Sequence, residues 1–210
     1  MAFPDHALAP LMTTFAVTWD YRCPFARNAH EHIVVGLQDG ADWDVRFVPF
    51  SLGQVHVAEG EADIWERPGD DSGLLALQAG VVVRDKWPEQ FLAVHVGLFA
   101  IRHDDGKHLS DETEIRRVLT ANRVDADAVF AEIATGQPLA TIRDEHTAAA
   151  EDYEVWGVPT FVHGDAAVFV RLMERPKGDA TFARRSVDRI IALLDEAPDL
   201  NEFKHTSLKR

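Results

Sequence analysis

The single cysteine of this 210-residue sequence stands where a reactive thiol is expected. Cys23 precedes Pro24, and proline is well tolerated in the first turn of a helix. A thiol at a helix N-terminus faces unpaired backbone N–H groups and the positive end of the helix dipole. We therefore predict a lowered pKa for Cys23, with Arg22 and Arg27 acting in the same direction, and a nucleophilic role. The alternative is an inert, buried side chain, as free cysteines often are.

A second candidate for chemistry is the segment Trp156-Gly157-Val158-Pro159-Thr160. Proline cannot donate to a sheet ladder, so Pro159 must begin a strand or mark a special bend. A cis Val158–Pro159 bond is compatible with the sequence but cannot be read from it. Taken alone, the pentapeptide fits a simple turn before a hairpin equally well.

Aromatic residues near the two segments are candidates for the walls of a binding pocket: Trp19, Tyr21, Phe25 and Trp156. Aromatic residues beside strands also belong frequently to the core. Asp20 is a candidate for moving protons near the thiol, although its position in a turn explains it equally well.

Composition and charge exclude several classes of function. The formal net charge of −14 argues against broad nucleic-acid binding and against docking on anionic lipid. No stretch approaches the roughly 20 apolar residues of a membrane span, and residues 1–10 do not form a secretory signal. The ten histidines show no metal-site spacing, so we expect no metal. The lack of a secretory signal predicts a cytoplasmic location, and a single cysteine, which allows no intramolecular disulfide, suits a reducing compartment.

The chain alternates strands and helices at both ends. A buried strand is predicted at 15–19, a helix from Pro24 to about Gly40 and a strand at 43–49, which together form a βαβ unit. A hairpin of 160–162 and 168–170 comes near the end, and an amphipathic helix capped by Asp179 follows it.

The middle of the chain, from about residue 51 to 156, contains signals for the starts of helices and none for strands. Helices are predicted to begin at five capping or proline positions: Ser72, Pro88, Ser110, Asp125 and Pro138.

This order of elements, with Cys23-Pro24 and Val158-Pro159-Thr160, resembles the DsbA-like branch of the thioredoxin superfamily, including FrnE-like proteins and thiol-dependent nitroreductases. The resemblance spans residues 14–194 and implies an α/β thioredoxin fold with a large all-helical insertion. It implies a thioredoxin domain at 12–52 and 154–197, a helical subdomain at 53–153 and a tail at 198–210. It also implies a catalytic Cys23 and a binding site for substrate or thiol, with a cis-proline, made from Pro24, Phe25, Ala26, Trp156, Val158 and Pro159.

The sequence departs from the family pattern at Ala26, which occupies the position of the resolving cysteine. Without a second thiol the chain cannot release a mixed disulfide by internal attack, so dithiol oxidase activity would need a thiol from another protein. The hypothesis is a monothiol oxidoreductase resolved by a glutathione- or mycothiol-type co-substrate. The alternatives are a thiol-binding enzyme similar to kappa-class glutathione transferases or 2-hydroxychromene-2-carboxylate isomerases, and a non-redox binding module. Homodimerisation is left open.

Overall fold

A four-stranded mixed sheet organises the computed structural model, which describes residues 12–205. The strands are β1 (Thr13–Trp19), β2 (Trp43–Pro49), β3 (Thr160–His163) and β4 (Ala166–Phe169), in the order β2-β1-β3-β4. β1 pairs in parallel with β2 and antiparallel with β3, which in turn pairs antiparallel with β4. Because β1 is central, its apolar run is buried, and Val17 lies between Phe47 and Phe161.

Two helices from opposite ends of the chain pack against each other beside the sheet: α1 (Pro24–Gln38) and the last helix, Ala180–Glu196. The last helix also contacts β3 and β4, and its cap Asp179 accepts a hydrogen bond from the Phe182 amide at 2.9 Å. Gly36 of α1 faces β2 so closely that a Cβ atom there would lie 2.3 Å from the Trp43 ring. A larger residue at position 36 would therefore push α1 off the sheet.

Between β2 and β3 the chain forms a block of helices. These are α2 (Leu52–Val55), α3 (Leu74–Lys86), α4 (Pro88–His103), α5 (Glu112–Ala121), α6 (Ala126–Ala134) and α7 (Gln137–Tyr153), which makes the last helix α8. Short 3-10 turns lie at Ile64–Glu66 and Pro68–Asp70. α3 contacts α4, α6 and α7, while α4 also contacts α1. The helical block is thus joined to the sheet side through α4, which contacts α1, and through α7, which contacts β2.

The predicted α/β class, with a thioredoxin-type sheet and a helical insertion, is confirmed. Ser72 does not cap α3, because the carboxylate of Asp71 accepts the Gly73 amide at 2.7 Å and the helix begins at Leu74. β4 begins at Ala166 and ends at Phe169, earlier than predicted. The exact domain boundaries stay a prediction. The predicted absence of a signal in residues 1–10, and residues 206–210 of the predicted tail, lie outside the described residues.

Candidate functional site

Cys23 lies beyond the carboxyl end of β1 and is the N-cap residue of α1. Its Sγ accepts a hydrogen bond from the Ala26 amide at 3.4 Å and donates one to the Val158 carbonyl at 3.2 Å. The Val158–Pro159 peptide bond is cis, and the thiol is largely buried, with 8% exposure. The fold therefore brings together two predicted segments that are 135 residues apart in sequence.

The turn before the thiol is held by a buried ion network. Asp20 accepts hydrogen bonds from the Arg22 amide and the Leu52 amide, both at 2.8 Å, and from the Arg22 guanidinium at 2.7 Å. The same guanidinium bonds Asp71, which precedes α3, at 2.8 Å. Asp20 thus ties the Cys23 turn to the segment after β2 and, through Arg22, to the helical block. These contacts give Asp20 a structural role.

The predicted lowering of the Cys23 pKa is wrong. Burial raises the pKa of the thiol, and the negative charge of Asp20 adds to that effect. The backbone amides of Ala26 and Phe25 and the charge of Arg171 act in the opposite direction but do not outweigh burial. The helix start does stabilise a thiolate, as the sequence indicated, yet the sequence could not show how deeply the sulfur is enclosed.

The two arginines predicted to favour the thiolate are paired with carboxylates instead. Arg22 bonds Asp20 and Asp71, as described above. Arg27 bonds Glu31 at 2.9 Å and also pairs with Asp104. Their positive charges are therefore largely compensated by neighbouring acids, which reduces their effect on the thiol.

The Pro159 segment is fixed to the central strand by a threonine pair. Thr18 of β1 accepts the Thr160 amide at 2.9 Å and donates to the Gly157 carbonyl at 3.3 Å. The Thr160 hydroxyl donates to the same carbonyl at 2.8 Å. On the other side, the Val170 amide donates to the Pro159 carbonyl at 3.1 Å. The backbone beside Cys23 is therefore held firmly between β1 and the end of β4.

An arc of aromatic and cationic side chains borders the thiol. Phe25 is half-buried, and the Arg171 guanidinium carbon lies 5.5 Å from its ring centre and 5.5 Å from that of Phe169. The Phe169 ring packs against Trp156 in a tilted arrangement, with the ring centres 4.5 Å apart, and Trp156 is 64% exposed. Phe25 and Trp156 thus lie at the surface near the site. Sequence reasoning missed Phe169 and Arg171, although the pairing of β4 with β3 brings that end of the hairpin beside Pro159.

Trp19 and Tyr21 do not wall a pocket, because both are fully buried in the core. The Tyr21 hydroxyl lies 2.8 Å from His95 Nδ1, His95 Nε2 lies 2.9 Å from His30 Nδ1, and His30 Nε2 lies 3.1 Å from the Thr18 carbonyl. A carbonyl only accepts, so His30 donates to Thr18, His95 donates to His30 and Tyr21 donates to His95.

The side chains of this buried hydrogen-bonded series, Tyr21, His95 and His30, are all neutral near pH 7. Burial lowers the pKa of His30 to about 4, lowers that of His95 well below its ordinary value and raises that of Tyr21. The hydrogen-bonded series connects β1 and α1 with α4, and Tyr21 links it to the turn that carries the thiol. Nothing in the sequence pattern pairs His95 with His30, since the two are 65 residues apart.

Over residues 12–205, no group of three or more histidine, cysteine, aspartate or glutamate side chains could hold a metal ion. No helix in that part of the chain is long and apolar enough to cross a membrane.

Comparisons with known proteins identify the family and the fold of the chain. A family model described as DSBA-like thioredoxin domain matches residues 16–174. A search of curated proteins gave no significant match.

Several solved structures share the fold at low sequence identity. A 2-hydroxychromene-2-carboxylate isomerase has a TM-score of 0.62 at 16% identity, covering 90% of this chain and 100% of its own. The cytosolic disulfide reductase DsbM from Pseudomonas aeruginosa, solved with GSH, has a TM-score of 0.57 at 15% identity, covering 86% of this chain and 100% of its own. DsbA from the same organism has a TM-score of 0.52 at 19% identity, covering 90% of each chain.

Proposed function

We propose that this chain, which belongs to the DSBA-like thioredoxin domain family, is a monothiol oxidoreductase centred on Cys23. One observation carries the proposal: Sγ bonds both the first turn of α1 and the Val158 carbonyl before the cis-proline. The sulfur therefore lies between a helix N-terminus, which stabilises a thiolate, and a rigid backbone segment along which a substrate can bind. Ala26, one helical turn further on, supplies no second thiol.

The reaction has two balanced steps. In the first, the Cys23 thiolate attacks one sulfur of a disulfide, a mixed disulfide forms on Cys23, and the other sulfur leaves as a thiolate. In the second, the thiolate of a small external thiol attacks the substrate sulfur of that mixed disulfide and releases the Cys23 thiolate. One disulfide is exchanged for another, and the protein returns to its starting redox state.

The raised pKa of Cys23 shapes both steps. It reduces the thiolate fraction near neutral pH, although the thiolate that does form is the more nucleophilic for its high basicity. A sulfur of high pKa is also a slow leaving group, so the mixed disulfide should be long-lived. Turnover then depends on the concentration of the external thiol.

The other predicted site residues have positioning roles in this proposal. Pro24 begins α1, the Ala26 amide stabilises the thiolate, and the Val158–Pro159 backbone receives the substrate. Phe25 and Trp156 offer aromatic surface beside it. A glutathione- or mycothiol-type thiol is the proposed co-substrate, and the reducing cytoplasm, which maintains such thiols, is the proposed location.

A second candidate is an enzyme in which a bound small thiol, and not Cys23, carries out the chemistry. The observation that favours it is the protonated state of Cys23, whose thiol donates to Val158 and whose pKa burial raises. The 2-hydroxychromene-2-carboxylate isomerase shares this fold, but at 16% identity that likeness is evidence for the fold alone.

The substitution Cys23→Ser separates these functions. Serine keeps an oxygen that can cap α1, so loss of activity would not reflect loss of the helix start. We expect the wild type to accelerate the reduction of hydroxyethyl disulfide by reduced glutathione or mycothiol, and Cys23→Ser to show only the uncatalysed rate. Full activity in Cys23→Ser would contradict the monothiol proposal and favour the second candidate. A wild type no faster than the uncatalysed reaction would favour a non-redox binding module.

A further inference from the structure

We infer that Arg171 makes the Cys23 site selective for low-molecular-weight disulfides and thiols that carry a carboxylate. The ligand would lie along the surface formed by Phe25, Arg171, Phe169 and Trp156, here called the Arg171 surface. This inference rests on the proposed monothiol function and adds to it the chemical class of the substrate.

The Arg171 surface runs from the thiol to the cis-proline segment. It begins at Phe25, two residues after Cys23, where the Arg171 guanidinium carbon lies 5.5 Å from the ring centre. The same guanidinium carbon lies 5.5 Å from the centre of the Phe169 ring, which packs against Trp156 at a tilt with the ring centres 4.5 Å apart. A ligand on this surface therefore has its sulfur near Cys23 and its charged group near Arg171.

The backbone on both sides of Arg171 is anchored to the site. The preceding residue, Val170, donates its amide to the Pro159 carbonyl at 3.1 Å. The following residue, Leu172, accepts a hydrogen bond from the side-chain amide of Asn28 in α1 at 2.7 Å. Arg171 is thus held between the cis-proline segment and the first turns of α1, so little backbone ordering remains to be done when a ligand binds.

The charge of Arg171 is available to a ligand. Its side chain is exposed, and within residues 12–205 its guanidinium forms no ion pair with a carboxylate. Arg22 and Arg27, by contrast, are each bonded to two acids.

The chemistry of this surface selects a carboxylate. Guanidinium groups stack on aromatic rings through their faces and keep their N–H edges free for bidentate bonds to a carboxylate. The exposed ring of Trp156 can cover the apolar or planar part of the same ligand. Glutathione-type thiols carry carboxylates, whereas mycothiol-type thiols carry sugar hydroxyls in their place. The Arg171 surface therefore favours the glutathione type.

Two disulfide reagents, one anionic and one uncharged, test the inference on the intact protein. Dithiobis(nitrobenzoate) carries carboxylates, dithiodipyridine is uncharged, and each releases a coloured thiol when the only cysteine, Cys23, attacks it. The rate ratio of the two reagents is measured for wild type and Arg171→Gln. Any change in the Cys23 pKa affects both rates equally and cancels in the ratio.

We expect Arg171→Gln to lower the ratio of the anionic reagent's rate to the neutral reagent's rate by about fivefold. A factor of this size corresponds to the free energy of a partly exposed charge pair. Arg171→Lys should lower it less, because it keeps the charge and loses the bidentate fork. Arg189→Gln, which removes an exposed arginine of α8, is the matched control and should leave the ratio unchanged. In the wild type, rising salt should reduce the anionic rate selectively.

A non-covalent measurement keeps the two proposals separable. With Cys23→Ser, S-methylglutathione should bind more tightly than its dimethyl ester, and Arg171→Gln should remove that difference. An unchanged reagent ratio together with equal binding of acid and ester would overturn the inference, while reaction of Cys23 with both reagents would leave the monothiol proposal standing. A Cys23 that reacts with neither reagent would refute the monothiol proposal, and the inference with it.

Discussion

His146 of α7 should make the protein less stable in mild acid. Its ring stacks on Phe50 with the centres 4.0 Å apart and meets the edge of Trp65 at 5.4 Å. The side chain is 7% exposed, and Nδ1 has no hydrogen-bond partner among residues 12–205. Burial lowers the His146 pKa from 6.5 to about 4, and the charges of Asp20 and Asp63 only partly oppose this effect.

The sign and size of the effect follow from proton linkage. Below pH 6.5 the unfolded chain binds a proton at His146, whereas the folded chain stays neutral there until about pH 4. Stability is therefore lost as the pH falls through this window, and the cost at pH 5 is about 2 kcal/mol. At pH 8 both states are neutral and the cost vanishes.

The substitution His146→Phe removes the titrating group and the unpartnered nitrogen but keeps a ring against Phe50. Urea unfolding at pH 5 and pH 8 measures the free energy of unfolding of variant and wild type. The free energy of unfolding of the variant minus that of the wild type should be about 2 kcal/mol larger at pH 5 than at pH 8. His108→Gln, at an exposed position before α5, is the control for losing a histidine. An identical difference between His146→Phe and wild type at both pH values would refute the reasoning.

Other predictions concern the core and the thiol. Tyr21→Phe should cost about 1–3 kcal/mol of unfolding free energy in urea titrations, because it leaves the buried His95 Nδ1 without a donor; no loss would argue against the hydrogen-bonded chain. Alkylation of Cys23 by iodoacetamide should accelerate with pH through and beyond the ordinary thiol range, since burial raises its pKa; a rate already level at neutral pH would contradict this. Ala26→Cys should form an intramolecular disulfide on oxidation, seen as the loss of two hydrogens by mass spectrometry; a persistent pair of thiols would show that α1 holds them apart. Gly36→Ala should destabilise the fold by about 1–3 kcal/mol, because its Cβ would overlap a β2 side chain at 2.3 Å; wild-type stability would show that α1 can shift at little cost.

Local signals in the sequence predict individual strands and helix starts and the position of the thiol, whereas the thioredoxin arrangement of these elements is implied by the family resemblance. The apolar run before Cys23 and the proline after it predicted a strand, a turn and a helix start, and the structure has all three. Asp125 and Asp179 were predicted to begin helices, and both side chains cap them. These features depend on neighbours a few residues away, which a sequence displays directly.

The parts that sequence reasoning missed depend on long-range contacts. The pKa of Cys23 is raised mainly by burial of the thiol in the folded protein, and Arg22 gains a second carboxylate partner in Asp71, 49 residues away. Tyr21 was predicted at a pocket wall, but its hydroxyl finds a partner in α4, which permits full burial. Arg171 acquires its place only because the β3–β4 hairpin brings it next to the thiol.

The intact mass of the purified protein tests the central claim most directly. The protein is incubated with oxidised glutathione, weighed, then treated with an excess of reduced glutathione and weighed again, with Cys23→Ser in parallel. We predict that one glutathionyl group is added to the wild type, that reduced glutathione removes it, and that Cys23→Ser acquires none. A wild type that gains no mass, or an adduct that reduced glutathione does not release, would contradict an externally resolved Cys23.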